Sequence, residues 1–230
     1  MKVDIITIFP NIFKSYFNES IIKRAQKSGK IKISIIDLRQ FSTDKHKKVD
    51  DKPFGGGPGM VFKIEPLAKA IKSILKQKNK HTLIPAAAGI KVVLFSARGK
   101  QFNSKMAAQW AKKYNRIIMI AGHYEGVDER IFEVLSAIGH KPLAISVGPY
   151  VLTGGELPAM IVIDAVSRHI PGVLGKEESL EEKRLGVGVP VYTRPEVFDW
   201  HGKKYPVPKV LLSGDHKKIE EWRKKYGRVD

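Results

Sequence analysis

The sequence predicts an α/β fold, a parallel sheet with helices on both faces, followed by a small helical C-terminal domain. Strand-like and helix-like segments alternate from the N-terminus to about residue 170. The strand-like runs are apolar throughout rather than at every second position, as expected of strands covered on both faces. The chain is 230 residues long with no cysteine, enough to bury a core without disulfide staples.

Each element has its own local reason. KVDIITIF (2–9) reads as a buried strand ended by Pro10, with Asn11 placed to cap a helix running to about Lys27. IKISIIDLR (31–39) is a second strand. QFSTDKHKKVDDKPFGGGPGM (40–60) carries no periodicity, and loops of about twenty residues in a compact domain are commonly functional. EPLAKAIKSILKQ (65–77) reads as a helix with proline in its first turn, where the missing N–H does no harm. Strand KVVLFSA (91–97), helix NSKMAAQWAKKY (103–114) and strand RIIMIAG (116–122) follow. Helix DERIFEVLSAI (128–138), strand PLAISVG (142–148) and helix GELPAMIVIDAVSRHI (155–170) complete the alternation. The predicted organisation is an α/β domain over 1–170, a Gly/Pro/Glu-rich linker over 171–196, and a small helical domain over 197–230. Its clearest helix is the amphipathic DHKKIEEWRKKY, anchored by Trp222.

Charge narrows the function. Lysine and arginine number 41 against 23 acidic residues, a net charge of +18, which attracts polyanions and points to nucleic acid. No segment joins a basic face to a long aromatic-rich apolar face, as membrane-surface helices do. No run approaches the ~20 apolar residues of a membrane span. MKVDIITIFP, interrupted by Asp4, is too short for a signal peptide. These features predict a soluble, cytoplasmic protein with no membrane partner. The absence of cysteine removes thiolate zinc sites, iron–sulfur clusters and a cysteine nucleophile.

Ligands of open parallel sheets bind beyond the carboxyl ends of the strands. Three such ends carry unusual sequence: LFSARG (94–99), AGHYEGVDER (121–130) and SVGPYVLTGGELPAM (146–160). Neither G-x-G-x-x-G after the first strand nor G-x-x-x-x-G-K-[ST] occurs, against a nicotinamide dehydrogenase, a P-loop NTPase and a methyltransferase with a glycine-rich first turn. Gly122, Gly126, Gly148, Gly154 and Gly155 stand at or beyond strand ends. There main chain can approach a ligand without an intervening Cβ. Each could be a turn glycine alone; gathered at successive strand ends, they point to a pocket whose N–H and C=O groups pair with a purine edge. Leu94, Phe95 and Leu152 would cover an apolar ring.

DDKPFGGGPGM, GHYEGVDERI, YVLTGGELPAM, DAVSRHIPGVLG, YTRPEV and PVPKVLLSGDH occur in that order. Together they resemble the bacterial tRNA (guanine-N1)-methyltransferases of the SPOUT superfamily, over roughly residues 1–222. The resemblance implies a trefoil knot, S-adenosylmethionine as methyl donor, and a homodimer with shared active sites. It implies methylation at N1 of guanosine 37 in tRNA, next to the anticodon. Matching donor positions are Leu94, Phe95 and Ser96, then Gly122, Tyr124, Glu125 and Gly126. Val147, Gly148, Tyr150, Val151, Leu152, Gly154, Gly155 and Pro158 complete the set.

Guanine N1 carries a proton at neutral pH, so the chemistry needs a base at N1 and a cation or donor at O6. By the resemblance Arg168, in SRHIPG, faces O6; the alternative is an ion pair with Asp164 one helical turn earlier. Asp50 and Arg194 match positions that contact the substrate. The family's proton-accepting aspartate belongs in the linker before YTRP, but GKEESLEEKRLGVGVPVYTRP (175–195) contains none. Gapless counting puts Lys183 there, leaving Glu182 or Glu181 to substitute. Either is one methylene too long, and a misplacement of about 1 Å can cost ~100-fold. The alternative is a catalytically weakened homologue that still binds donor and tRNA. Smaller departures are His123 for arginine, Pro149 for an acid and Ala97 for proline. A magnesium ion (Mg2+) is implied for the reaction, with no carboxylate cluster to name its ligands. Basic runs at 39–52 and in the C-terminal helix would contact phosphates.

Overall fold

The computed structural model describes residues 1–76, 89–175, 180 and 188–226. The chain divides into two compact units, Met1–Leu174 and Gly175–Asp230.

The first unit begins with β1 (Lys2–Thr7), a 3-10 turn at Pro10–Phe13, α1 (Lys14–Phe17) and α2 (Ser20–Lys27). β2 (Lys32–Asp37), the two-residue strands β3 (Asp50–Asp51) and β4 (Val61–Phe62), and α3 (Ile64–Lys76) follow. Then come β5 (Gly89–Gln101), α4 (Ser104–Lys113), β6 (Tyr114–Ile120), α5 (Arg130–Ala137), β7 (Leu143–Ser146) and α6 (Glu156–Arg168). Five strands form one sheet in the order β2-β1-β6-β5-β7, every pairing parallel.

Successive strand residues point to opposite faces, and both faces are buried. Val3, Ile5, Ile117 and Met119 pack with Phe13, Ile22, Trp110 and Val162, from the turn before α1 and from α2, α4 and α6. Ile6, Ile118 and Ile120 turn the other way onto Leu67 and Ile71 of α3 and Ile131 and Leu135 of α5. Each such side chain contributes roughly 1.5–3 kcal/mol of burial, which explains the continuously apolar strands.

The single helix expected over 11–27 is broken. Asn11 lies inside the 3-10 turn instead of capping a helix; Phe9 is the N-cap and Pro10 opens the turn. A second break falls at Asn18–Glu19, where Ser20 takes a φ of 46°. Asn and Ser favour local backbone contacts over helix continuation.

β5 runs past its expected end. Phe95 pairs with Ile145, the register then slips, and Lys100 and Gln101 rejoin β7 at Ile145 and Ser146. Gly99 permits the return, since a Cβ there would lie 2.5 Å from the Ile145 backbone nitrogen. The loop over 40–60 is less free than its sequence suggests. Asp50 and Asp51 pair with Phe62 and Val61, and Phe62 N–H donates to the Gly126 carbonyl at 3.0 Å.

The second unit holds β8 (Val197–Trp200), β9 (Lys203–Pro206), α7 (Lys209–Leu212) and α8 (His216–Tyr226). A purely helical unit was expected; β8 and β9 form an antiparallel hairpin. Its two turn residues, His201 and Gly202, both have positive φ (51° and 78°), the conformation that suits the twist of a two-residue hairpin. His-Gly lacks the familiar Asn-Gly signature, so the sequence concealed it. Trp222 packs against Tyr192 and Tyr226 of its own unit.

One ion pair lies inside the sheet. Arg116 Nε donates to Asp4 Oδ2 at 2.6 Å, with the side chains 2% and 1% exposed. Removing one partner of a buried pair strands the other's charge. Asp4→Ala is therefore expected to cost about 3–5 kcal/mol in urea unfolding; a loss below ~1 kcal/mol would show that water solvates Arg116. Asp128, before α5, is held below the usual carboxylate range. The hydrogen bond from the Arg130 side chain does most of this, opposed by burial and aided by the Arg130 N–H. Because its folded pKa is depressed, its contribution is present above the ordinary value of about 3.9 and disappears as pH falls through the lowered one. Stability measured between roughly pH 2 and pH 5 should fall less steeply in Asp128→Asn.

Candidate functional site

The register slip of β5 and the ends of β6 and β7 open into a cleft of about 290 Å³. β5 contributes Phe95 and Ser96; the turn after β6 contributes Gly122, Tyr124, Glu125 and Gly126. The turn after β7 contributes Val147, Tyr150, Val151, Leu152, Gly154 and Gly155, and the first turn of α6 adds Pro158. Most of the positions singled out as donor-binding therefore share one wall. Leu94 lies one residue too deep: it is 5% exposed and packs in the core on the α3/α5 face. Gly148 stands behind the wall, where a Cβ would fall 2.2 Å from the Tyr150 ring. Tyr150 in turn donates its hydroxyl to the Val147 carbonyl at 3.3 Å.

Ala97, His123, Ile145, Ser146 and Thr153 also line the cleft. Ala97 and His123 had stood out only as departures from a pattern; Ile145 and Ser146 could have been found from their place at a strand end. Ser146 Oγ donates to the Gly148 carbonyl at 2.8 Å, stiffening the turn above it.

The two loops meet through main chain. Gly155 N–H donates to the Gly122 carbonyl at 2.7 Å, and His123 and Gly154 form an antiparallel bridge. A Cβ on Gly155 would lie 2.7 Å from Ala121 Cα, so this approach requires glycine. Although the chain carries a net charge of +18, neither lysine nor arginine lines the cleft among the described residues; its charged lining residue there is Glu125, joined by His123 and exposed apolar groups. Val151 is 84% exposed. Such a surface offers backbone hydrogen bonds and apolar cover to a ligand, and favours a cation over a phosphate.

Of the other predicted residues, none of those described lines this cleft. Arg168 is the last residue of α6, whose first turn borders the cleft. A helix advances about 1.5 Å per residue, which places Arg168 ~18 Å from Glu156 along the axis. Asp164 accepts a hydrogen bond from the Tyr16 hydroxyl at 2.8 Å, and burial first, then Asp164, pushes that phenol up to about 12. Asp50 sits in β3 opposite Phe62, and Phe62 is bonded to Gly126 of the cleft loop. Arg194 belongs to the second unit, in a separate recess of about 590 Å³ with Tyr192, Thr193 and Arg223. That recess is larger, but its lining comes from the second unit alone, whereas ligands of parallel sheets bind at strand ends, so size does not identify the functional site. Glu181, Glu182 and Lys183 lie outside the described residues. Among the described residues no group of three or more potential ligands could hold a metal, so magnesium has no fitting site there. No helix among them is long and apolar enough to cross a membrane.

Comparison with known proteins gives a consistent family. Residues 1–229 match the model of the tRNA (Guanine-1)-methyltransferase TrmD family. A tRNA (guanine-N(1)-)-methyltransferase of Clostridioides difficile is 48% identical over 227 residues, covering 97% of this chain and 91% of its own. Its namesake from Dictyoglomus turgidum is 46% identical over 228 residues, covering 98% and 84%. That from Endomicrobium trichonymphae is 46% identical over 226 residues, covering 97% and 92%. With a cleft of main-chain groups at the ends of a parallel sheet and a family match along almost its whole length, the chain belongs to the tRNA (Guanine-1)-methyltransferase TrmD family.

Proposed function

We propose that this protein transfers a methyl group from S-adenosylmethionine to N1 of guanosine 37 in tRNA, in the cytoplasm, as a homodimer. The observation that carries the donor assignment is the cleft itself: glycine-lined main chain, apolar cover, and no lysine or arginine in its lining among the described residues. The cradle where Gly155 meets Gly122, with no room for a Cβ at 155, fits a planar nucleoside held by backbone N–H and C=O groups. When bound there, S-adenosylmethionine supplies an electrophilic methyl group on a sulfonium. Phe95, Leu152 and Pro158 would cover its apolar parts, while Glu125 favours the positive charge.

The remaining residues act on guanine. Asp50 and Arg194 contact the substrate and hold N1 about 3–3.5 Å from the methyl carbon. Glu182 or Glu181 takes the N1 proton, and Arg168 stabilises the charge that moves to O6. Since Arg168 ends the helix whose start borders the cleft, its own cleft lies beyond its reach; a second copy of the chain would bring Arg168 to it. The family's trefoil knot is part of this proposal. In its favour are the slip of β5 past β7 and the return of Lys100 and Gln101 to the same strand.

A second reading, a weakened homologue that binds donor and tRNA, draws on the linker without aspartate. Methylation of a tRNA with guanosine 3′ of the anticodon, against the same tRNA with that base altered, separates the two. Turnover only with the guanosine supports the enzyme; donor and tRNA binding without turnover supports the second reading. Arg168→Ala is expected to lower kcat about 100- to 1000-fold while donor affinity stays within about twofold. Mixing it with Leu152→Trp, which fills the cleft, should restore roughly a quarter of the activity, the share of intact sites under random pairing. No restoration would place Arg168 and the cleft of the same subunit together.

A further inference from the structure

Resting on the donor-cleft reading above, we infer that His123 and Glu156 are positioning residues that latch the turn after β6 to the start of α6 when the donor enters. Glu156 is the first residue of α6 and only 3% exposed. A carboxylate so deeply buried needs partners. The positive end of the helix dipole is one. Thr7 at the end of β1 is another: its hydroxyl donates to Glu156 Oε1 at 2.8 Å, and its oxygen accepts the Phe9 N–H at 2.9 Å.

The second carboxylate oxygen faces His123. Oε2 lies 3.6 Å from His123 Nδ1, and among the described residues Nδ1 is buried without a hydrogen-bond partner. That gap is just beyond the ~2.7–3.2 Å of an N–H···O bond. A movement of under about 1 Å would convert it into a charge-assisted bond, among the stronger kinds available to a protein.

The surroundings leave that movement to the loops. Phe9 and Tyr124 meet the imidazole edge-on at 4.9 and 4.8 Å between ring centres, so the ring is held on two sides. Gly154 lies against both partners: a Cβ there would fall 2.3 Å from Glu156 Oε2 and 2.4 Å from His123 Nδ1. His123 and Gly154 both line the cleft, so bringing Nδ1 to Oε2 narrows the cleft around whatever occupies it. A bond made only in the closed form adds its free energy to donor binding.

Calorimetric titration of the full chain with S-adenosylmethionine tests the latch. Asparagine carries its amide nitrogen at about the position of Nδ1, whereas glutamine carries it near Nε2. His123→Asn should bind within about threefold of the unaltered chain, while His123→Gln and Glu156→Gln should each weaken binding about tenfold. Combining His123→Gln with Glu156→Gln should weaken it little further, because both remove one interaction. Melting temperatures of the donor-free variants serve as the control, since a purely structural role would lower them and treat asparagine and glutamine alike. Equal affinity for His123→Asn and His123→Gln, or losses that multiply, overturns the latch; the comparison at position 123 decides even if Glu156→Gln does not fold. An unaltered chain that binds no donor would remove the donor reading and the latch together, whereas donor binding indifferent to position 123 removes the latch alone.

Discussion

The main-chain contact between Gly122 and Gly155 governs this molecule. The Gly155 N–H reaches the Gly122 carbonyl at 2.7 Å, with Ala121 so near that no side chain fits at 155. Ala121 itself donates to the Ile6 carbonyl at the end of β1, so the contact is anchored in the centre of the sheet. Two loops, from β6 and from β7 on the other side of β5, are thereby fixed to each other, and both line one cleft. Rigid β-strands set the distance, and glycine permits it.

Charge is segregated to match. Among the described residues, a chain with a net charge of +18 lines its cleft without lysine or arginine, while Arg194 and Arg223 gather in the second unit. Under the proposed function this keeps a cationic donor away from like charge and leaves the basic surface for phosphates. Helix α6 joins the two demands, with its start at the cleft and Arg168 at its far end. Under the same proposal one rigid element would serve the donor of one subunit and the target base of the other.

The parallel sheet was legible because strands buried on both faces must be apolar throughout, and Ile5, Ile6, Ile117 and Ile118 obey that rule. The β5 return was hidden, because Ser96–Gly99 has no periodicity and the close crossing at Gly99 is a tertiary fact. Positive φ at Ser20 broke a helix that the apolar spacing had run together. Within the site, glycines at successive strand ends announced the cleft. Leu94 misled because a strand's last core residue and its first cleft residue are equally apolar. The distance of Arg168 from the cleft and the contact of His123 with Glu156 arise from folding, and no local pattern encodes either.

The account is tested most directly by a crystal structure of the protein with S-adenosylmethionine. It predicts a bent donor seated between the turns after β6 and β7, with its purine edge paired to backbone atoms there and Gly155 still bonded to Gly122. A donor lodged in the recess beside Arg194, or a cleft that stays closed against it, would contradict the account.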